Sequence, residues 1–194
     1  MSTGKSAHTD KKLVILDRDG VINEDSDAYI KSPAEWRPIE GSLQAIARLN
    51  RAGFKVYVAT NQSGLTRGLF TIETLNRIHQ KMLDMLQHHG GNVVAILFCP
   101  HAPDDDCACR KPKPGLYLDI AERNNISLQG IPVIGDSFRD IEAAKAVNAR
   151  PILVRTGNGS KTEQQHADAL QDIEIYDDLA STVDTLINEY GSQA

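Results

Sequence analysis

Leu13-Val14-Ile15-Leu16-Asp17-Arg18-Asp19-Gly20 decides the fold. Four apolar residues read as a buried strand, and two carboxylates two positions apart follow it directly. In extended backbone, residues i and i+2 point to the same side, so Asp17 and Asp19 can face one cleft. Close carboxylates repel unless a cation or a shared proton relieves them. A hard dication such as Mg2+ suits that cluster of oxygens. One carboxylate could then attack phosphorus while its neighbour moves the proton. Taken alone, the same pair would serve equally well as turn aspartates closing a strand.

Outward from this stretch, short apolar runs alternate with amphipathic segments. The pattern predicts further strands over 55–59, 93–98, 132–134, 152–154 and 173–175. It predicts helices over 42–51, with Ser42 as cap and Gly53 past the end, and over 71–88, where Leu75, Ile78, Met82, Met85 and Leu86 form a stripe. Pro114 opens another helix, and two more cover 138–147 and 178–189. Such alternation implies an α/β fold, a doubly wound (Rossmann-like) parallel sheet with helices on both faces. Ligands in these sheets sit beyond the carboxyl ends of the strands. The polar clusters all fall there. Asp17 and Asp19 follow the first strand, Thr60-Asn61-Gln62-Ser63-Gly64 the second, a Cys/His segment with Arg110-Lys111 the third, and Gly135-Asp136-Ser137 the fourth.

The chain has 194 residues, 41% apolar and 24% charged, which suits one soluble domain, here 11–190, after a flexible start at 1–10. A net charge of −5 argues against a general nucleic-acid or anionic-membrane binder. No apolar run is long enough to span a bilayer, and Met1 to Asp10 has no signal-peptide core. The expectation is a cytoplasmic protein, and, with no heptad or apolar stripe demanding a partner, a monomer.

The strand ends carry the chemistry. A hydroxyl and several backbone N–H groups in the Thr60 loop can hold phosphoryl oxygens, although such a loop is also an ordinary strand-to-helix turn. Asp136 would complete a Mg2+ site with Asp17, or else cap the helix that follows it. Asp140, one turn on, suits positioning better than direct metal binding. Arg110-Lys111 brings positive charge to the same rim. Cys99, His101, Cys107 and Cys109 crowd one loop, at 99–109, and suit a closed, structural Zn2+ site. Zinc there would fix the backbone that presents Arg110 and Lys111.

In this order the four elements resemble the haloacid dehalogenase superfamily of phosphotransferases, from Leu13 to about Thr156. The resemblance implies that Asp17 is the nucleophile forming an aspartyl-phosphate and Asp19 the general acid and base. It further implies Mg2+ on Asp17, the backbone carbonyl of Asp19, and Asp136, with Thr60 and Lys111 steadying the phosphoryl group. Lys113 competes with Lys111 for that role. Asn61, Gln62, Ser63, Arg110 and Asp25 are the expected substrate contacts. The short span from Asp17 to Thr60 leaves no room for a large cap domain, so the site should be open, with 25–32 as one wall.

The Cys-x-His…Cys-x-Cys-Arg-Lys-Pro block resembles the histidinol-phosphatase-like branch. Its members hydrolyse the 7-phosphate of D-glycero-D-manno-heptose 1,7-bisphosphate, in lipopolysaccharide core synthesis, or histidinol phosphate. Thr60 to Gly68 and Arg155-Thr156-Gly157 favour the heptose substrate, a phosphorylated sugar. The short Cys99–Cys109 spacing is nearer the histidinol enzymes, and Ser137 stands where many heptose enzymes have Lys. Arg110, with Arg67, could hold the remote phosphate of a bisphosphate. A receiver-like phospho-acceptor is the competing reading, but it lacks an acid two residues past the acceptor. A zinc-dependent interaction module would have no use for the carboxylates.

Overall fold

Side chains that point alternately to opposite faces along the continuously buried central strands build two cores, one on each face of a single sheet. The computed structural model describes residues 12–191, so the expected flexible segment 1–10 lies outside the described residues. The strands are β1 (Leu13–Leu16), β2 (Lys55–Asn61), β3 (Ala95–Cys99), β4 (Pro132–Gly135), β5 (Arg150–Val154) and β6 (Glu174–Tyr176). They pair in the order β3-β2-β1-β4-β5-β6, every pair parallel. The helices are α1 (Ser42–Arg51), α2 (Ile72–His88), α3 (Gly115–Asn124), α4 (Phe138–Ala146), α5 (Gly159–Gln165) and α6 (Leu179–Gly191). Val14, Leu16, Val56, Val58 and Ile134 pack with residues of α1, α2 and α6. Leu13, Ile15, Tyr57, Ala59 and Val133 pack with residues of α3 and α4 on the opposite face. The doubly wound sheet expected from the alternation is the one observed.

Two local readings need correction. Ser42 does not cap α1; Gly41 does, in the left-handed region at φ 81°, while the Ser42 hydroxyl donates inward to the Val21 carbonyl at 3.1 Å. The short helix α5 was not foreseen, because Gly159 to Gln165 has no apolar stripe. Packing holds it instead. Gly159 lies against the Val154 carbonyl, and Thr162 Oγ1 donates to the Asp136 carbonyl at 2.9 Å.

Strand order brings the polar ends together. From β1 the chain adds β2 and β3 on one side, then crosses back to add β4, β5 and β6 on the other, so the crevice of the fold opens at the carboxyl ends of β1 and β4. Leu16 pairs with Val58 on one side and Ile134 on the other, and the Asp17 N–H donates to the Ile134 carbonyl at 2.9 Å. Asp17, Thr60 and Asp136 therefore emerge side by side. The segment between β1 and α1 crosses this end without any helix of its own and is anchored by Trp36, which is wholly buried. Lys81 of α2 clamps it by donating to the carbonyls of Pro33 and Trp36 at 2.7 and 2.8 Å. Leu16, buried among residues on the α1/α2/α6 face, is expected to cost about 2–5 kcal/mol on Leu16→Ala. Denaturant unfolding measures this, with far-UV circular dichroism checking that the variant keeps its secondary structure.

Candidate active site

Lys111 forms the floor of the rim. Its side chain is buried, and Nζ lies 2.9 Å from Asp17 Oδ2, 2.6 Å from Asp140 Oδ1 and 2.9 Å from the Ala59 carbonyl. Burial alone would lower the ammonium pKa, but Asp140 and Asp17 hold it raised and charged. Lys113 is exposed and pairs with Asp106, so Lys111 is the cation at the carboxylates. Asn61 fixes the Lys111 backbone from both sides: its Nδ2 donates to the Lys111 carbonyl, and its Oδ1 accepts from the Lys111 N–H, each at 3.1 Å. That occupies the Asn61 amide, which the sequence had offered as a substrate contact.

Asp17, Asp136 and Asp140 bring carboxylate oxygens within 4.8 Å of one another. Asp140 is already committed, to Lys111 through Oδ1 and to the N–H and hydroxyl of Ser137 through Oδ2. Ser137 is thus the cap of α4, the job that Asp136 might otherwise have had. Asp17 and Asp136 remain as the pair facing the crevice. Burial, followed by the neighbouring Asp140 and Asp19 charges and opposed by Lys111, pushes the Asp17 carboxyl up to about 7. Burial, then Asp140 and Asp17, pushes Asp136 up to about 8. Two hard oxygen donors crowded this way fit a divalent cation such as Mg2+. Glycine walls the pocket of Asp136 on two sides. A Cβ on Gly20, at φ +78°, would stand 2.0 Å from Asp136 Oδ2, and one on Gly157, at φ +56°, would stand 2.3 Å from it.

Asp19 points elsewhere. Its carboxylate accepts from Arg18 Nε at 3.1 Å and from Nη2 at 2.9 Å, and from Asn23 Nδ2 at 2.9 Å and Gln62 Nε2 at 2.8 Å. Burial would raise this carboxyl, but Arg18, Asn23 and Gln62 together hold it below the usual range. Gln62 also donates to Thr60 Oγ1 at 2.9 Å, so its amide orients both side chains. Ser63 lines the cavity beside that network.

These residues surround an open cavity of about 190 Å³. Asp25 stands on its rim and accepts from Asn158 Nδ2 at 2.6 Å, while the Asn158 N–H donates to Asp136 Oδ2 at 2.8 Å. Arg110 and Arg139 both line the cavity, and Arg67 does not. Burial and the nearby Arg139 push the Arg110 guanidinium down, and its Nη1 donates to the His101 carbonyl at 3.1 Å. Arg139, Asn158 and Arg18 were not singled out from the sequence. A charged residue beside a motif gives no sign of which way it turns. His79 was also missed, although a histidine one turn after Leu75 inside an apolar stripe was a readable signal.

The Cys/His loop closes on itself. Cys99 Sγ lies 3.6 Å from His101 Nδ1 and from Cys107 Sγ, and Cys109 Sγ lies 3.3 Å from Cys99 Sγ and from His101 Nδ1. A tetrahedron of Zn–S bonds has edges of about 3.8 Å. Burial pushes the Cys99 thiol up to about 12. Burial also acts to raise Cys107, yet the Arg110 N–H and the neighbouring thiols bring it down to about 7. Soft donors at this spacing fit a zinc ion.

A model of the HAD-hydrolase-like family matches residues 108–182. The D-glycero-beta-D-manno-heptose-1,7-bisphosphate 7-phosphatase of Bordetella bronchiseptica is 55% identical over 178 residues, 92% of this chain and 99% of that one. The chain belongs to the HAD-like hydrolase family. The enzyme of the same name from Pseudomonas putida is 51% identical to this HAD-like hydrolase over 176 residues, 91% of the chain and 99% of the relative. A crystal structure of D,D-heptose 1,7-bisphosphate phosphatase from B. bronchiseptica, complexed with magnesium and phosphate, superposes with a TM-score of 0.89 at 55% identity. It covers 92% of this hydrolase and 99% of that chain.

Since Asp17 and Asp136 carry raised pKa values near 7 and 8, both hold protons at pH 6 in the metal-free protein. A dication displaces those protons, so Mg2+ affinity should rise from pH 6 through pH 8 and level off only above about pH 9. Titration calorimetry in buffers of different ionisation enthalpy reads both the affinity and the proton release. Affinity flat across that range would contradict the assignment.

Proposed function

We propose that this HAD-like hydrolase is a Mg2+-dependent phosphatase that removes the 7-phosphate of D-glycero-D-manno-heptose 1,7-bisphosphate through an aspartyl-phosphate on Asp17. The observation that carries the reading is the Asp17–Lys111–Asp140 arrangement beside Asp136, at a strand-end crevice, in a chain so similar to enzymes of that name. Mg2+, held by Asp17, Asp136 and the Asp19 backbone carbonyl, would neutralise phosphoryl oxygens and orient the group.

The residues divide the work. Lys111 orients Asp17 and, opposing the burial that raises its carboxyl, favours the ionised form, so that the carboxylate can attack phosphorus in line with the departing sugar oxygen. Thr60 and Lys111 steady the transferring oxygens. Asp19 gives its proton to the leaving oxygen, then takes one from the water that hydrolyses the aspartyl-phosphate. At rest it accepts only from donors, which is the state that takes up a proton. Donating one requires it to bind a proton and give up one of those contacts.

Arg110 and Arg139 are a second cationic station on the rim, suited to the far phosphate of a bisphosphate. The same pair would repel the cationic end of histidinol phosphate, which supports the heptose substrate. Arg139 supplies charge that Ser137 cannot. The carboxylates and cations all belong to one chain, in keeping with a monomer of one domain, 11–190. Among the described residues no helix is long and apolar enough to cross a membrane, in keeping with a cytoplasmic enzyme. The Cys99, His101, Cys107 and Cys109 loop holds structural Zn2+.

Phosphate release from the heptose bisphosphate should exceed that from histidinol phosphate by at least tenfold in kcat/KM, about 1.4 kcal/mol. Asp17→Asn should abolish both, with the fold and zinc content unchanged. Histidinol phosphate turned over equally well would reverse the substrate choice; wild-type rates for Asp17→Asn would end the covalent mechanism. The purified protein should carry about one zinc per chain by elemental analysis, as a four-ligand site requires. Its removal by a strong chelator should lower stability and activity together, without rescue by Mg2+. Protein prepared without chelators and free of zinc would refute the clip.

A further inference from the structure

Behind Asp19 lies a residue the mechanism has not used. Arg18 is buried, with a relative exposure of 1%, and its guanidinium spends Nε and Nη2 on the Asp19 carboxylate. Among the described residues its remaining contact is Nη1 to His79 Nε2, at 3.1 Å. Arginine is always a donor, so Nε2 must accept, and the imidazole proton sits on Nδ1. Burial, then the Arg18 charge, pushes the His79 pKa down to about 3, which keeps it in that neutral acceptor form. The ring is itself held, buried in α2 and tilted against Phe98 at 6.1 Å between centroids.

We infer that His79 is a positioning residue for the acid/base carboxylate of Asp19, acting through Arg18. The guanidinium is a planar fork, so holding Nη1 from behind sets the plane in which Nε and Nη2 meet Asp19. Loss of the acceptor leaves a buried N–H of Arg18 unsatisfied and lets the fork turn. Asp19 then leaves the orientation needed to meet the sugar oxygen, and an error of about 1 Å there can cost about a hundredfold. A buried polar residue in an otherwise apolar helical stripe has a reason to be there. Leu75, Ile78 and Met82 on the same helix are buried core residues, and His79 among them reaches the motif by its contact with Arg18.

This inference rests on the acid/base reading of Asp19, and the test separates the two. kcat/KM reports events up to departure of the leaving group. It is measured for the heptose bisphosphate, whose leaving oxygen needs a proton, and for p-nitrophenyl phosphate, whose leaving group does not. Asp19→Asn should lose at least a hundredfold on the sugar and far less on the aryl ester; an equal effect on both would end the acid/base reading and this inference with it. Given that split, His79→Leu should lose about tenfold or more on the sugar and less than about twofold on the aryl ester. His79→Gln, whose Oε1 can accept from Nη1, should recover the sugar reaction, while the shorter His79→Asn should not. Should His79→Leu fail to fold, the Gln and Asn pair decides. A uniform loss on both substrates, no loss at all, or Gln as damaged as Asn would reduce His79 to a core residue and overturn the inference.

Discussion

A lysine ammonium buried between two aspartates is the constraint on which the site depends. Removing one partner of such a buried group typically costs about 3–5 kcal/mol, because the other charges are left without compensation. The chain therefore surrounds Lys111 with supports. Its Nζ takes a third acceptor from the Ala59 carbonyl, its backbone is held at both polar atoms by Asn61, and Asp140 is itself held by Ser137. These supports come from β2, through Ala59 and Asn61, and from the segment after β4, through Ser137 and Asp140, so the parallel sheet is the frame that makes the arrangement possible. Asp17 sits on the exposed side of this network, where it can be ionised, oriented and still meet a substrate.

Carboxylates on this rim are kept in two opposed states. Asp17 and Asp136 are crowded and carry raised pKa values, a condition that a dication relieves. Asp19, two residues from Asp17, is surrounded by donors and is held ionised without metal. Neighbouring groups of one chemical type are thus driven apart by environment, as the proposed division between metal and phosphorus on one hand and proton transfer on the other requires. The left-handed turn at Gly20 is what lets the backbone pass close under Asp136 and keep these two environments separate.

Much of this was readable before any coordinates. The strands around Asp17, Thr60 and Asp136 announced themselves because buried parallel strands are short apolar runs, and the carboxylates at their ends stand out against them. The Cys/His cluster was readable because its members are close in sequence. What escaped was of two kinds. Gly41 displaced Ser42 as a cap, and α5 formed from a polar segment, because tertiary contacts overrode local preference. Arg18, His79, Asn158 and Arg139 escaped because their partners are distant in sequence or lie on the neighbouring residue's side chain, and one-dimensional spacing carries no direction for a long flexible side chain.

Arg110 belongs at once to the cavity and to the Cys/His loop, since its guanidinium is tied to the His101 carbonyl. Thr66 ties the neighbouring loop to the Pro100 carbonyl at 2.6 Å. In the proposed mechanism the groups that break bonds stand at strand ends locked into the sheet, whereas the cations assigned to the far end of the substrate stand on a loop or at the outer end of a helix. That mechanism would physically partition chemistry from choice of substrate. The tip at Asp104, Asp105 and Asp106 is exposed, so its composition can change without disturbing the Cys/His cluster on either side. A scaffold divided so can acquire new substrates by rewriting a few exposed positions, with the hydrolytic machinery inherited intact.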